Sequence, residues 1–198
     1  MADGKLYWYV LFARTGTEER LVEKLKDLLG SEGYRPFVPQ KTCVFRRQGQ
    51  KSLFQKPCFP GYVFIESDKS AAEFIEHAYP IIYKLKEAYR FLCYGDKTDI
   101  AMRDEERVVL KNVLGDDYRI DISTGYKEGE FVKIISGPLV GKESRIVSIN
   151  RGRREAIVEV ELFGNTVQVS VGLEMIEKKP EALLHGKTNA VQDKSDFV

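Results

Sequence analysis

A chain of 198 residues has room for one or two domains, and 43% hydrophobic residues are enough to build packed cores. Charged residues make up 31% but sum to a net charge of +1, so bulk charge does not announce a nucleic-acid partner and only local clusters can. Three cysteines, Cys43, Cys58 and Cys93, are odd in number and irregularly spaced, which fits reduced thiols and excludes a disulfide framework or a zinc site. The opening run MADGKLYWYVLFAR has no long apolar signal core, and no segment reaches transmembrane length; a soluble cytoplasmic protein with no membrane partner is expected.

In chain order, residues 6–13 (LYWYVLFA) predict a buried strand. Thr15 and Glu18 have capping-box spacing, and Leu21, Val22, Leu25, Leu28 and Leu29 mark one face of a helix that Gly30 and Gly33 stop. Residues 35–56 read as extended segments around a Gln48-Gly49 turn, with Pro36 and Pro39 placing the early part at an edge or in a loop. A strand is expected over Tyr62–Glu66, a short helix over Ser70–Ala78 ending before Pro80, and a strand over Arg90–Tyr94. Asp104–Leu114 predicts a second amphipathic helix, closed by Gly115.

The polar, glycine-bounded run Gly115–Gly125 marks a boundary. Beyond it only short strands are expected, at Phe131–Ile135, Ser144–Ile149, Ala156–Leu162, Thr166–Val171 and Glu174–Ile176, with a Gly164-Asn165 hairpin turn. Five such strands in about fifty residues favour a small closed barrel, which removes exposed edges. The class is α+β, with a β-only second part and an aperiodic tail that reads as mobile.

Catalytic chemistry finds little support. The two histidines, His77 and His185, form no metal motif. Gly137-Pro-Leu-Val-Gly141-Lys142 is one residue short of a phosphate loop and has Glu143 where Ser or Thr would hold magnesium; these glycines read as barrel turns. No catalytic residue, metal or cofactor is expected.

Three features point to binding. Phe59-Pro60-Gly61-Tyr62 sets two aromatics around a Pro-Gly turn, which suits either core packing or a docking surface. Residues 35–56 hold six bases (Arg35, Lys41, Arg46, Arg47, Lys51, Lys56) and no acid. Lys142, Arg145, Arg151, Arg153 and Arg154 stand against the single acid Glu143 between Lys142 and Arg154, concentrated on turns toward one end of the barrel. Either cluster suits phosphates, and either could equally be a solvated hairpin.

The run FPGYVFIE, followed by EGEFVKIISGPLVGKESRIVSINRGRREAIVEVELFG from Glu128 to Gly164, resembles NusG-type transcription elongation factors over about residues 6–179. The resemblance implies an amino domain, 1–115, with an antiparallel sheet flanked by helices; a linker, 116–125; a five-stranded KOW β-barrel, 126–179; and a tail, 180–198. It implies that Phe59 and Tyr62, on a turn made by Pro60 and Gly61, line a pocket for the clamp helices of the largest RNA polymerase subunit. Trp8, Tyr9 and Leu21 would be further walls. The basic hairpin would face upstream DNA and the non-template strand. General members use the KOW barrel to hold a ribosomal protein or a termination factor, whereas LoaP-type antiterminators are expected to bind a structured RNA hairpin. The run STGYKEGEF through ELFG resembles that branch, with Lys142, Arg145, Asn150, Arg151, Arg153 and Arg154 as its RNA-binding residues. The threonine-rich loop of RfaH-type paralogues is missing near Glu73–Glu76, which leaves contact with a second polymerase subunit open. The expected function is antitermination by a monomer that suppresses pausing; the alternatives are a housekeeping elongation factor and a ribosomal or stand-alone RNA-binding KOW protein.

Overall fold

A computed structural model of the chain describes residues 5–48, 50–129 and 131–177. The stretch read as a tail lies outside those residues, as do the side chains of Arg46 and Arg47.

The amino part is organised by strand β1 (Tyr7–Ala13), which lies between β5 (Tyr62–Ser67) and β6 (Ala88–Phe91), antiparallel to both. Strand β2 (Tyr34–Phe37) pairs with the far side of β5, so the sheet order is β2-β5-β1-β6. Alternation along β1 sends its residues to two faces. Tyr9, Leu11 and Ala13 pack with Leu21, Val22 and Leu25 of helix α1 (Glu18–Leu29), Phe74 of α2 (Ala71–His77) and Ile82 of α3 (Tyr79–Ile82). Trp8 and Val10 join Leu110, Val113 and Leu114 of α4 (Asp104–Leu114) in a second cluster.

A hairpin of β3 (Gln40–Arg47) and β4 (Gln50–Pro57) stands beside this sheet, joined in parallel by the two-residue strand β7 (Arg119–Ile120). The carboxy part is a five-stranded sheet of order β10-β11-β12-β8-β9. Its strands are β8 (Ser123–Glu128), β9 (Phe131–Ser136), β10 (Ile146–Asn150), β11 (Glu155–Leu162) and β12 (Asn165–Ile176). Ala156, Val158, Val160 and Leu162 of β11 all face its core, as their period of two requires.

The α+β class and the amino sheet follow expectation; several details differ. The Thr15–Glu18 capping box does not form: α1 begins at Glu18, and the Glu18 carboxylate accepts a bond from the Gly61 N–H at 2.6 Å. A capping interaction does form at Ser70, whose N–H donates to Glu73 Oε2 at 2.8 Å. The chain does not leave helical structure at Pro80, because proline sits in the first turn of α3, where its missing N–H costs nothing.

The segment expected as a linker is stitched to the amino part. Tyr118 stacks on Phe37 at 3.8 Å, and Ile120 and Ser123 are buried. The last two expected strands are one continuous strand, β12. The hairpin turn sits one residue earlier than expected, on Phe163 and Gly164, both with positive φ (52° and 71°), the two-residue arrangement that matches strand twist. Finally, β9 and β10 remain the two edges of an open sheet; the barrel is not closed by hydrogen bonds.

The two parts pack together. One cluster runs from Trp8, Phe59 and Leu110 into Leu139, Val158, Phe163 and Val171. Strand β3 crosses β12 at Gly172, where a Cβ would stand 2.7 Å from the Thr42 carbonyl oxygen, so only glycine permits the approach.

Candidate docking and nucleic-acid interfaces

The Phe59–Tyr62 turn is built by its own backbone. The Tyr62 N–H donates to the Phe59 carbonyl at 3.1 Å, closing a four-residue turn with proline second and a positive-φ glycine (Gly61, 85°) third. Those are the residue types a type II turn requires. The turn is then held from both sides: the Gly61 N–H by buried Glu18, and the Gly61 carbonyl by the Ala13 N–H at 2.7 Å.

This anchoring splits the two aromatics of the motif. Phe59 is 4% exposed and packs on Phe64, with ring centroids 5.6 Å apart, inside the cluster shared by both parts of the chain. Beside it, burial pushes the Cys58 thiol up to about 12. Tyr62 is half-buried, and its ring lies 5.3 Å from that of Phe12, which in turn is 5.5 Å from exposed Tyr89.

The three residues expected as further pocket walls lie inside the fold. Trp8, Tyr9 and Leu21 are fully buried. The Trp8 indole donates to Glu66 Oε2 at 2.8 Å, sharing that carboxylate with the Tyr118 hydroxyl at 2.7 Å, while Tyr9 stacks on Phe74 and donates to the Lys69 carbonyl. Each aromatic is retained by packing with its polar atom satisfied, which is a core role. The outward aromatics near the turn are Phe12, Tyr62 and Tyr89, and Phe12 and Tyr89 were not anticipated. Phe12 shares the period-two face of Trp8 and Val10; nothing local in the sequence marks Tyr89.

The basic residues expected to face DNA have different surroundings, Arg35 on β2 and the others on the β3–β4 hairpin. Arg35 lies over the Tyr118 ring at 5.1 Å. Lys41 donates to the Ser170 hydroxyl of β12, Lys51 pairs with Glu174 at 2.7 Å, and Lys56 lies 5.2 Å from the Phe54 ring centroid. Lys41 and Lys51 thus tie the hairpin across to β12, while β4 stays exposed along nearly its whole length.

The six residues expected to bind RNA do not form one patch. Asn150 Oδ1 accepts the Arg153 N–H at 2.9 Å, which shapes the turn, and Arg151 and Arg153 are exposed at its tip. Arg154 folds back to 4.0 Å from Glu174, the acid that Lys51 also holds. Lys142 and Arg145 sit at the other end of the β10–β11 hairpin, because Ile146 pairs with Val158 and Asn150 with Glu155. That register puts Arg145 and the turn roughly 16 Å apart at ~3.3 Å per residue. There Lys142 and Arg145 border an apolar cleft of about 170 Å³ formed by Val109 and Val113 of α4 with Leu139, Val158 and Val160.

Among the described residues no cluster of three or more His, Cys, Asp or Glu could hold a metal, and no helix is long and apolar enough to cross a membrane. The fold defines an α+β protein with a helix-flanked amino sheet and a β-rich carboxy part. Residues 6–111, more than half of the chain, match the family described as transcription termination factor nusG, and the chain belongs to that NusG family. Transcription termination/antitermination protein NusG of Thermus thermophilus and its namesake in Bacillus subtilis are each 25% identical over 179 residues, covering 86% of this chain and 97% of theirs. The Pseudomonas aeruginosa protein of that name is 23% identical over 180 residues, with the same coverage.

Proposed function

We propose that this chain is a transcription antiterminator that docks on RNA polymerase through its amino part and engages a structured RNA through its KOW-type carboxy part, in the manner of the LoaP-type branch. The observation that carries the polymerase half of this reading is the family match across residues 6–111, which contains the whole Phe59–Tyr62 turn. The domain limits follow the sequence reading, 1–115 and 126–179. The DNA-facing element is the β3–β4 hairpin, beside upstream DNA and the non-template strand. Docking on the clamp helices would suppress pausing through a modest differential affinity, since about 1.4 kcal/mol moves an equilibrium tenfold.

In this reading half-buried Tyr62 and Phe12, with exposed Tyr89, supply the aromatic docking surface, and Phe59 supports the turn from beneath. The RNA half rests on Arg151 and Arg153, whose guanidinium groups stand at an exposed turn and suit phosphates and A-form shape. A second reading, in which the carboxy part holds a ribosomal protein or termination factor, is favoured by the apolar lining of the cleft at Leu139, Val158 and Val160.

The test uses the full chain. Tyr62→Ala should weaken polymerase binding by about 2 kcal/mol or more, as expected for an aromatic anchor, with an unchanged unfolding curve. Arg151→Ala with Arg153→Ala should flatten log affinity against log salt for an RNA hairpin by up to about two units. Unchanged polymerase binding would remove the docking assignment; an unchanged salt slope would move the protein-partner reading ahead.

A further inference from the structure

The turn that carries Arg151 and Arg153 closes over a second cleft. The Leu173 N–H donates to the Arg154 carbonyl at 2.9 Å, and Arg154 has φ 55°, a left-handed conformation that arginine rarely adopts. Together they fold the turn back against the end of β12. A cleft of about 400 Å³ lies there, bordered by Arg151 and Arg154 of the turn, by Glu174, Met175 and Ile176 of β12, and by Glu177 just beyond it. Glu174 is held by Lys51 at 2.7 Å and lies 4.0 Å from Nε of Arg154, which orients that guanidinium. The terminal nitrogens of Arg154 and the exposed Glu177 carboxylate have no ion pair among the described residues.

The mixed lining restricts the ligand. A phosphate would meet two carboxylates and a basic peptide two guanidinium groups, so neither suits the cleft. An uncharged planar group with donors beside acceptors does. Guanine alone among the RNA bases has two adjacent donors, N1–H and N2–H, which one carboxylate accepts together, and two adjacent acceptors, O6 and N7, which match the paired donors of an arginine. In adenine and cytosine the amino group stands beside a ring acceptor, and in uracil the N3–H stands between two carbonyls. Each of these would set a lone pair against the carboxylate.

We infer that this cleft takes one unpaired guanine of an RNA, with N1–H and N2–H on Glu177, O6 and N7 on Arg154, and the ring against Met175 and Ile176. The inference rests on the proposal that the carboxy part engages a structured RNA, and it names the base that this part reads. The guanine must be unpaired, in a loop or bulge, because in a helix its Watson–Crick edge is taken by its partner. Arg151 and Arg153, at the exposed tip, remain free for the flanking phosphates.

The experiment titrates the full chain with labelled hairpin RNAs that share one stem and differ in a short loop, all uridine or with guanine, inosine or adenine at its centre. Wild type should bind the guanine loop about tenfold more tightly than the uridine or adenine loop, the discrimination that one bidentate contact supplies. Inosine, which lacks only the 2-amino group, should fall several-fold below guanine. Glu177→Gln keeps the shape but leaves a single acceptor oxygen, so the guanine-to-inosine ratio should collapse toward one. The ratio is the readout because removing an acid strengthens every RNA complex alike. Equal wild-type affinity for all loops, or an undiminished ratio in Glu177→Gln, would overturn the guanine cleft and leave the RNA reading standing. If no hairpin binds, both ideas fall together. Free GMP that displaces the guanine hairpin at equal concentration would make a nucleotide the occupant and overturn the inference as stated.

Discussion

Phe59 and Tyr62 lie three residues apart on one turn, yet their mutants should behave differently. Phe59 is enclosed by Phe64 and the shared cluster, so Phe59→Ala should destabilise the fold by about 3–5 kcal/mol, measured by urea unfolding. A loss near zero would mean that the ring is more exposed in solution than its 4% indicates. Cys58 reports on the same enclosure. Its folded-state pKa is raised by burial from 9.0 to about 12, so its contribution is complete below pH 9 and is lost as pH rises from 9 toward 12. At pH 8 iodoacetamide should label half-buried Cys93 first and leave Cys58 and Cys43 protected in the native state. Rapid labelling of Cys58 would show that the cluster opens. The sequence singled out the Phe59 and Tyr62 pair; it could not say which ring faces out, because the turn is clamped by Glu18, more than forty positions earlier.

Among elements, the turn before β5 and the hairpin between β3 and β4 show how local chemistry is turned to a tertiary purpose. Gly61 has φ +85°, and a Cβ there would meet Thr15 Oγ1 at 3.0 Å and the Ala13 carbonyl at 3.4 Å. Gly61→Ala therefore combines a left-handed backbone with crowding and should cost about 1–2 kcal/mol in thermal or urea unfolding. A neutral substitution would show that the turn can relax away from β1. Element types were readable because helix and strand periods differ: α4 spans the expected residues, and the alternation in Ala156–Leu162 appears as a half-buried strand. The capping box at Thr15 was misread because the same carboxylate had a better, distant partner in the Gly61 N–H. Within the expected linker, Tyr118 and Ile120 find burial and β-pairing only once Phe37 and β3 are in place, which no local pattern announces.

Across the whole molecule, the contact between the amino and carboxy parts is the main structural addition. Phe163 holds a left-handed conformation that a bulky side chain rarely adopts. It is supported by the Glu106 carboxylate, which accepts the Phe163 and Gly164 N–H groups at 2.7 and 2.9 Å, and by the Tyr94 ring at 4.8 Å. Glu106→Ala removes two charge-assisted bonds and should cost about 1.5–3 kcal/mol. Hydrogen exchange should quicken at Phe163 and Gly164 and at the α4 face of β11. Unaltered exchange there would mean that the contact does not hold the two parts together. The sequence alone determined the family resemblance, the α+β class, the principal helices α1, α2 and α4, most of the strands, though not α3, β7 or β8, and the two basic clusters, because these depend on periodicity, turn residues and short motifs within one segment. Tertiary structure decided which aromatics are core and which are surface, how the expected RNA cations divide between opposite ends of a hairpin, and how the basic hairpin is joined to β12. Each of those depends on which side chains meet across distant segments, through burial, register and shared carboxylates, and no local pattern encodes them.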